Sequence, residues 1–323
     1  MSKAFQLPII EMAMLVQDQS QRSDNHCVNF CSSHFVGLAS HCERGRNRTL
    51  SLDEFIRVSG STLRGDYSQA QADFTVVQNP STYTVEEHAL WRRLYQRQIK
   101  LVAGYAFEDH LGHLEDLDIA DSIPDFARIS SKLQSATGWE IVAVPGLIPG
   151  LAFFDLLANR RFPATVWLRN PEEFEYIVEP DIFHDVFGHV PLLFNHHYAD
   201  YLQAYGKGAL KAARIGPDAL KMIGRLFWFT VEFGLIRTPQ GMRVFGAGIL
   251  SSSGEIVYSI DSPTPRRIAF DLDRMMCTDF HIDRFQDPYF VIESFERLVA
   301  DTAHDFTPDY ERLRTMPTFP RAE

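Results

Sequence analysis

The chain has 323 residues, 45% hydrophobic and 23% charged, enough to bury a large core as one large domain or two modest ones. Its formal net charge of −11 repels phosphate backbones and anionic lipid, which argues against nucleic acid and membrane surfaces as partners. No apolar run approaches the roughly 18 residues of a membrane span, Glu11 breaks the apolar patch of the N-terminus, and four cysteines are too few for a disulfide scaffold, so the expected setting is the cytoplasm.

Residues 1–75 are rich in Ser, Arg, Asn and His and read as a poorly ordered or divergent N-terminal segment, with one short helix around 51–59. Within it His26, Cys27, Cys31, His34, His41 and Cys42 crowd together, but their spacing follows no zinc-finger pattern and reads as accidental. Residues 76–323 form the second unit. Thr84 and Glu87 have capping-box spacing, and Trp91, Leu94, Tyr95, Leu101, Val102 and Tyr105 mark one helical face. A helix opens near Pro124 and ends at Gly138, and 141–144 reads as a short strand. Two prolines and two glycines make 145–150 a loop. A helix is expected over 151–162, a strand over 164–168, and helices over 181–190, 199–213 and 218–237. Segments 242–245 and 255–260 suggest a hairpin, and Pro288 opens a last helix over 289–304. The fold class is mainly α with a few short β-strands.

The chemistry concentrates in Pro180-Asp181-Ile182-Phe183-His184-Asp185-Val186-Phe187-Gly188-His189 and in Glu232. Glu232 sits in an apolar helical stretch whose same-face neighbours are Trp228, Phe229, Leu235 and Ile236. A carboxylate there costs several kcal/mol unless a cation compensates it. Either an arginine from elsewhere in the chain or a metal would do so. A spacing of five on a regular α-helix turns His189 about 140° away from His184. Both reach one ion only if the helix ends or bulges between them, and Gly188 supplies that freedom. Two imidazoles and one carboxylate, with the remaining positions open, suit catalytic Zn(II) or Fe(II). The aromatic neighbours Phe183, Phe187, Phe227 and Trp228 tilt the choice to iron, because an oxygenase needs a dry pocket.

At these residues the chain resembles the tetrahydropterin-dependent aromatic amino acid hydroxylases, most closely the short bacterial phenylalanine 4-monooxygenases. The matching motifs are EPDIFHDVFGHVPLL at 179–193, FWFTVEFGL at 227–235 and GAGILSSSGE at 246–255, with VPGLIP at 144–149 and RFQDPYFVIESF at 284–295. The resemblance covers about 75–310 and implies a single catalytic domain of that type. It implies Fe(II) held by His184, His189 and Glu232, a tetrahydropterin cosubstrate, O2, and hydroxylation of L-phenylalanine to L-tyrosine in phenylalanine catabolism. It places Arg169 on the substrate carboxylate, Trp228 and Ile282 around the substrate ring, and Ser251 near the substrate and His184. It sets the backbone of Gly146 and Leu147 along the pterin, Phe153 stacked on it, and Asp185 in a water-mediated contact. Without the resemblance, Phe153 and Trp228 would read as core and Arg169 as a surface residue.

There are departures. Phe227 replaces the tyrosine of some relatives, so any polar pterin contact there is lost. The chain ends soon after its last helix, so a monomer or weak dimer is expected rather than a tetramer; a pterin-recycling enzyme is a separate expected partner. Competing expectations are hydroxylation of tyrosine or tryptophan, a metal-dependent phosphohydrolase built on the His184-Asp185 pair, and a scaffold that has kept the fold without its chemistry.

Overall fold

Burial orders the chain into one apolar core that takes in Phe55, Tyr67 and Phe74 as well as the helices after them. The structure, a computed structural model, describes residues 51–59 and 63–320 except 178 and 283. The cluster between His26 and Cys42 lies outside the described residues. Helix α1 spans Leu52–Ser59, α2 Val85–Val102, α3 Glu108–Leu117 and α4 Phe126–Ala136. The capping box of α2 is present in both directions between Thr84 and Glu87. Helix α2 buries Trp91, Leu94 and Tyr95 on the expected face, and the buried Trp91 N–H donates to Ile119 O at 2.7 Å.

Strand β1 (Glu140–Val144), helix α5 (Gly150–Ala158) and strand β2 (Arg161–Thr165) form a right-sized βαβ unit whose strands pair in parallel. The helix expected over 151–162 therefore stops four residues early, and the strand starts three residues before 164. Arg160 takes a positive φ of 57°, which ends the helix and turns the buried run from Phe162 onto β1. Residues ahead of α2 also join this layer, since Val76 N donates to Ala143 O at 2.8 Å.

His184–His189 form a π-helix, and the long α6 (His196–Ile215) and α7 (Pro217–Phe227) follow. A second π-helix, Trp228–Glu232, continues α7 directly. The helix expected as far as 237 ends there. A Cβ at Gly234 would meet Phe245 Cζ at 2.1 Å and Thr230 O at 2.3 Å, so the chain crosses too close for a helix with side chains. It runs on into β3 (Leu235–Thr238), which pairs antiparallel with β4 (Gly241–Val244). The hairpin partner of 242–245 is thus 235–238. Residues Glu255–Asp261 form a helix, α9, after the short α8 (Ala247–Leu250). The turn signal Pro239-Gln240-Gly241 lies at this hairpin, with Gly241 at φ 110°.

A four-stranded sheet collects β4, β3, β6 (Tyr289–Ile292) and β5 (Arg267–Ala269) in that order, with α10 (Leu272–Met276) following β5 in the chain. Tyr289–Ile292 is buried on all four residues, which suits a strand covered on both faces rather than the start of an amphipathic helix. The helix expected from 289 begins instead at Phe295, as α11 (Phe295–Thr302), where the Ser294 side chain accepts from Arg297 N. Helix α12, Thr307–Leu313, is the last element.

Candidate metal centre

The two π-helices carry the three side chains singled out above. In a π-helix the backbone bonds run from i to i+5, so residues five apart come onto one face. This brings His184 and His189 together without a break in the helix. His184 Nε2 and His189 Nε2 lie 3.2 Å apart. Glu232 Oε1 is 3.4 Å from His189 Nε2, and Oε2 is 3.7 Å from His184 Nε2. All three residues are buried. Gly188 acts by closeness rather than by flexibility: a Cβ there would meet Ala247 Cβ at 2.9 Å and Ala247 O at 3.0 Å.

The opposite face of the first π-helix is anchored by aromatic packing. Phe183 stacks on Phe187 at 5.0 Å, Trp91 meets Phe183 edge-on at 5.4 Å, and Tyr95 meets Phe187 at 5.7 Å. Phe162 covers His189 at 5.0 Å.

The protonation states favour a cation. Burial pushes the His184 imidazole down to about 4, past the opposing pull of Glu232, so it is neutral near pH 7. Burial would raise Glu232, but His189 and His184 outweigh it and hold the carboxylate below its usual range. An ionised carboxylate and a neutral imidazole are the forms that ligate metals. Glu232 Oε2 is buried without a hydrogen-bond partner. An ion between the three groups would satisfy it and relieve the two facing imidazole nitrogens, so the residues present fit a metal. The cavity they line is about 10 Å³, which suits an ion or a single water and excludes an aromatic ring.

Phe153 and Asp185 line the same cavity, with Phe162, Pro163, Pro180 and Phe227. Phe153 meets Phe227 edge-on at 5.9 Å. Asp185 also stands near the ligand nitrogens: one ligand atom each from His184, Asp185 and His189 lie within 4.8 Å of one another. Its Oδ2 already accepts from Thr165 N at 2.8 Å, whereas Glu232 has an unpartnered oxygen, so Glu232 is the better third ligand. Burial pushes the Asp185 carboxyl up to about 7. A His-Asp phosphohydrolase site would need further His and Asp ligands, and among the described residues this is the one such group.

Ser251, Arg169, Trp228 and Ile282 do not line that cavity. Ser251 Oγ is 2.8 Å from His184 Nδ1. Arg169 is buried, not a surface residue, and forms a bidentate pair with Asp181: Nε to Oδ2 and Nη2 to Oδ1, both 2.8 Å. Asp181 Oδ1 also accepts from His184 N at 3.0 Å. Trp228 opens the π-helix that ends in Glu232 and stacks on Phe280 at 4.3 Å. Ile282 is half-buried two residues after Phe280. The Gly146–Leu147 loop is held by Tyr67, whose hydroxyl donates to Leu147 O at 2.7 Å. At Gly146, φ is 155° and a Cβ would meet Arg64 O at 2.5 Å.

Asp181 and Tyr67 are positioning groups that the residue pattern did not single out. Asp181 had a signal, since a carboxylate three residues before His184 has the spacing of an N-cap. Tyr67 had none, because it acts on a loop 80 residues away in the chain.

Residues 67–315 match the family model described as biopterin-dependent aromatic amino acid hydroxylase. The chain is 54% identical over 263 residues to the phenylalanine-4-hydroxylase of Ralstonia nicotianae, covering 81% of each chain. It is 57% identical over 242 residues to that of Chromobacterium violaceum, covering 75% of this chain and 81% of that one. A solved structure of Chromobacterium violaceum phenylalanine hydroxylase with bound oxidised Fe(III) matches with a TM-score of 0.75 at 53% identity, over 80% of this chain and 93% of that one. The chain belongs to the biopterin-dependent aromatic amino acid hydroxylase family.

Proposed function

We propose that this chain catalyses the phenylalanine 4-monooxygenase reaction, hydroxylating L-phenylalanine to L-tyrosine with O2 and a tetrahydropterin at a non-haem Fe(II) site. The observation that carries this reading is the convergence of His184 Nε2, His189 Nε2 and Glu232 within 3.2 to 3.7 Å in a small buried cavity. The relatives at 54% and 57% identity, both named phenylalanine-4-hydroxylase, support the choice of substrate.

In this reading His184, His189 and Glu232 would hold the iron. Bound iron and tetrahydropterin supply the activation of O2, chemistry that belongs to the cofactors. Phe153 and the backbone of Gly146 and Leu147 would bind the pterin, and Asp185 would contact it through water. Phe162, Phe227 and the prolines at 163 and 180 keep other water out. Asp181 pre-sets Arg169, and the Nη1 donors, which take no part in that pair, hold the substrate carboxylate. The tether turns affinity into alignment of the ring with the metal.

Trp228 and Ile282 wall the ring. Ile282 offers no partner for a para hydroxyl, which favours phenylalanine over tyrosine. The catalytic domain spans 76–323, and Tyr67 buttresses its pterin loop. The enzyme works in the cytoplasm as a monomer or weak dimer, alongside an enzyme that re-reduces the oxidised pterin. Purified protein supplied with Fe(II), tetrahydropterin and O2 and offered each aromatic amino acid should form tyrosine from phenylalanine fastest. No hydroxylated product from any of the three would remove the proposal.

A further inference from the structure

We infer that Gln286 is a positioning residue that sets the shape of the substrate pocket by tying the Trp228 indole to the loop that carries Ile282. The inference rests on the reading of Trp228 and Ile282 as the pocket walls. Those two residues come from different parts of the chain, one on the second π-helix and one on the loop before β6. Something must fix their separation, because ring selectivity turns on a few contacts.

The Gln286 side chain is placed to do it. Its Oε1 accepts from Trp228 Nε1 at 3.1 Å and from His281 N at 3.2 Å. Its Nε2 donates to His281 O at 2.7 Å and to Arg284 O at 3.4 Å. Both ends of a single amide are therefore in use, and three of the four bonds go to the segment 281–284, which contains Ile282. Gln286 is 1% exposed and Trp228 2%. In such surroundings a displaced amide has no water to turn to, so the arrangement is held in one geometry.

The backbone of Gln286 is fixed in turn. Its N–H donates to Glu255 Oε1 at 3.0 Å, and the same oxygen accepts from Tyr289 O–H at 2.6 Å. Glu255 and Tyr289 are both fully buried. Phe280 then stacks flat on the indole at 4.3 Å and Phe233 packs on it at 4.7 Å, so the loop supplies one ring contact and, among the described residues, the only partner of the N–H edge. The outcome is one rigid unit, in which Trp228 cannot swing without moving Ile282.

The test is Gln286→Leu, which keeps the volume and removes all four bonds. The KM for phenylalanine is expected to rise about tenfold, the order of effect for a misplaced binding contact, with the KM for tetrahydropterin and the bound iron unchanged. The tyrosine formed per pterin oxidised is expected to fall. In the metal-free protein, the Trp228 contribution to fluorescence, obtained by subtracting the Trp228→Phe spectrum, is expected to shift. If Gln286→Leu does not fold, Gln286→Met carries the question, because it keeps the length of the side chain, leaves Trp228 intact and deletes the same four bonds. A KM for phenylalanine and a coupling ratio within twofold of wild type, in whichever variant is folded, overturns the inference. A wild type that makes no tyrosine instead removes the proposed function, and the fluorescence arm still decides whether Gln286 holds the indole.

Discussion

Ser251 fixes the tautomer of His184. The Ser251 hydroxyl donates its one hydrogen to Ala247 O at 2.9 Å, so the contact at 2.8 Å with His184 Nδ1 is one in which the ring N–H donates. His184 Nε2 is left with its lone pair aimed at His189 and Glu232. Ser251→Ala removes that constraint, and iron affinity is expected to fall about 10- to 100-fold, the usual cost of losing a partner behind a metal ligand. Competition against a chelator measures it, and an unchanged affinity would show that packing alone orients the ring.

His184→Ala, His189→Ala and Glu232→Ala are each expected to abolish iron-dependent turnover and to leave purified protein without stoichiometric iron. Metal analysis and a tyrosine assay check both. Full activity in any one of the three removes it from the triad.

Arg169→Ala is expected to raise the KM for phenylalanine far more than that for pterin. It also strands Asp181, which is buried and held ionised against its burial by Arg169. Breaking one side of a buried pair costs about 3–5 kcal/mol, so the melting temperature should drop as well. Arg169→Lys should not rescue, because an ammonium cannot reproduce the two-bond fork. A lysine variant with wild-type kinetics would count against the bidentate argument.

Gly188→Ala pushes a methyl against Ala247, whose helix leads to Ser251. Overpacking of this kind costs about 1–3 kcal/mol. Chemical denaturation should show that loss, together with weaker iron binding, since the π-helix and the Ser251 support are driven apart. A fully stable variant with normal iron content would show that the two elements can separate without consequence.

Stability should depend on pH through Glu255. Burial pushes its carboxyl up to about 8, against the downward pull of Tyr289 and Gln286. The folded state therefore favours the neutral form, while the unfolded chain titrates near 4.5. The stabilisation is complete below that lower value and is lost as pH rises through about 8. Melting temperatures of wild type and Glu255→Gln, compared from about pH 5 to about pH 8, should diverge, with wild type losing more. Parallel curves would mean that Glu255 is charged in the fold.

The helices with strong periodicity and clear ends were legible from residues alone, as Thr84 and Glu87 show for α2. The errors fall where a short apolar run could be helix or strand. Phe162–Thr165, Leu235–Thr238 and Tyr289–Ile292 are all strands, and each was read into or against a neighbouring helix. Phe162–Thr165 and Tyr289–Ile292 are buried at every residue and Leu235–Thr238 at its first two, so the alternation that separates the two periods is erased or too short to see. What decides them is pairing with a strand elsewhere in the chain, as β3 pairs with β6 more than 50 residues on.

The residue types and the motifs by themselves determined the family likeness and the mainly helical character and singled out the candidate ligands, because a carboxylate in an apolar stretch calls for a compensating cation. Tertiary structure decided how a spacing of five could work, why Arg169 is buried, and which groups hold Ser251, Leu147 and Trp228 in place. Those answers depend on π-winding and on hydrogen bonds between segments far apart in sequence, and such contacts leave no periodic trace in a single chain.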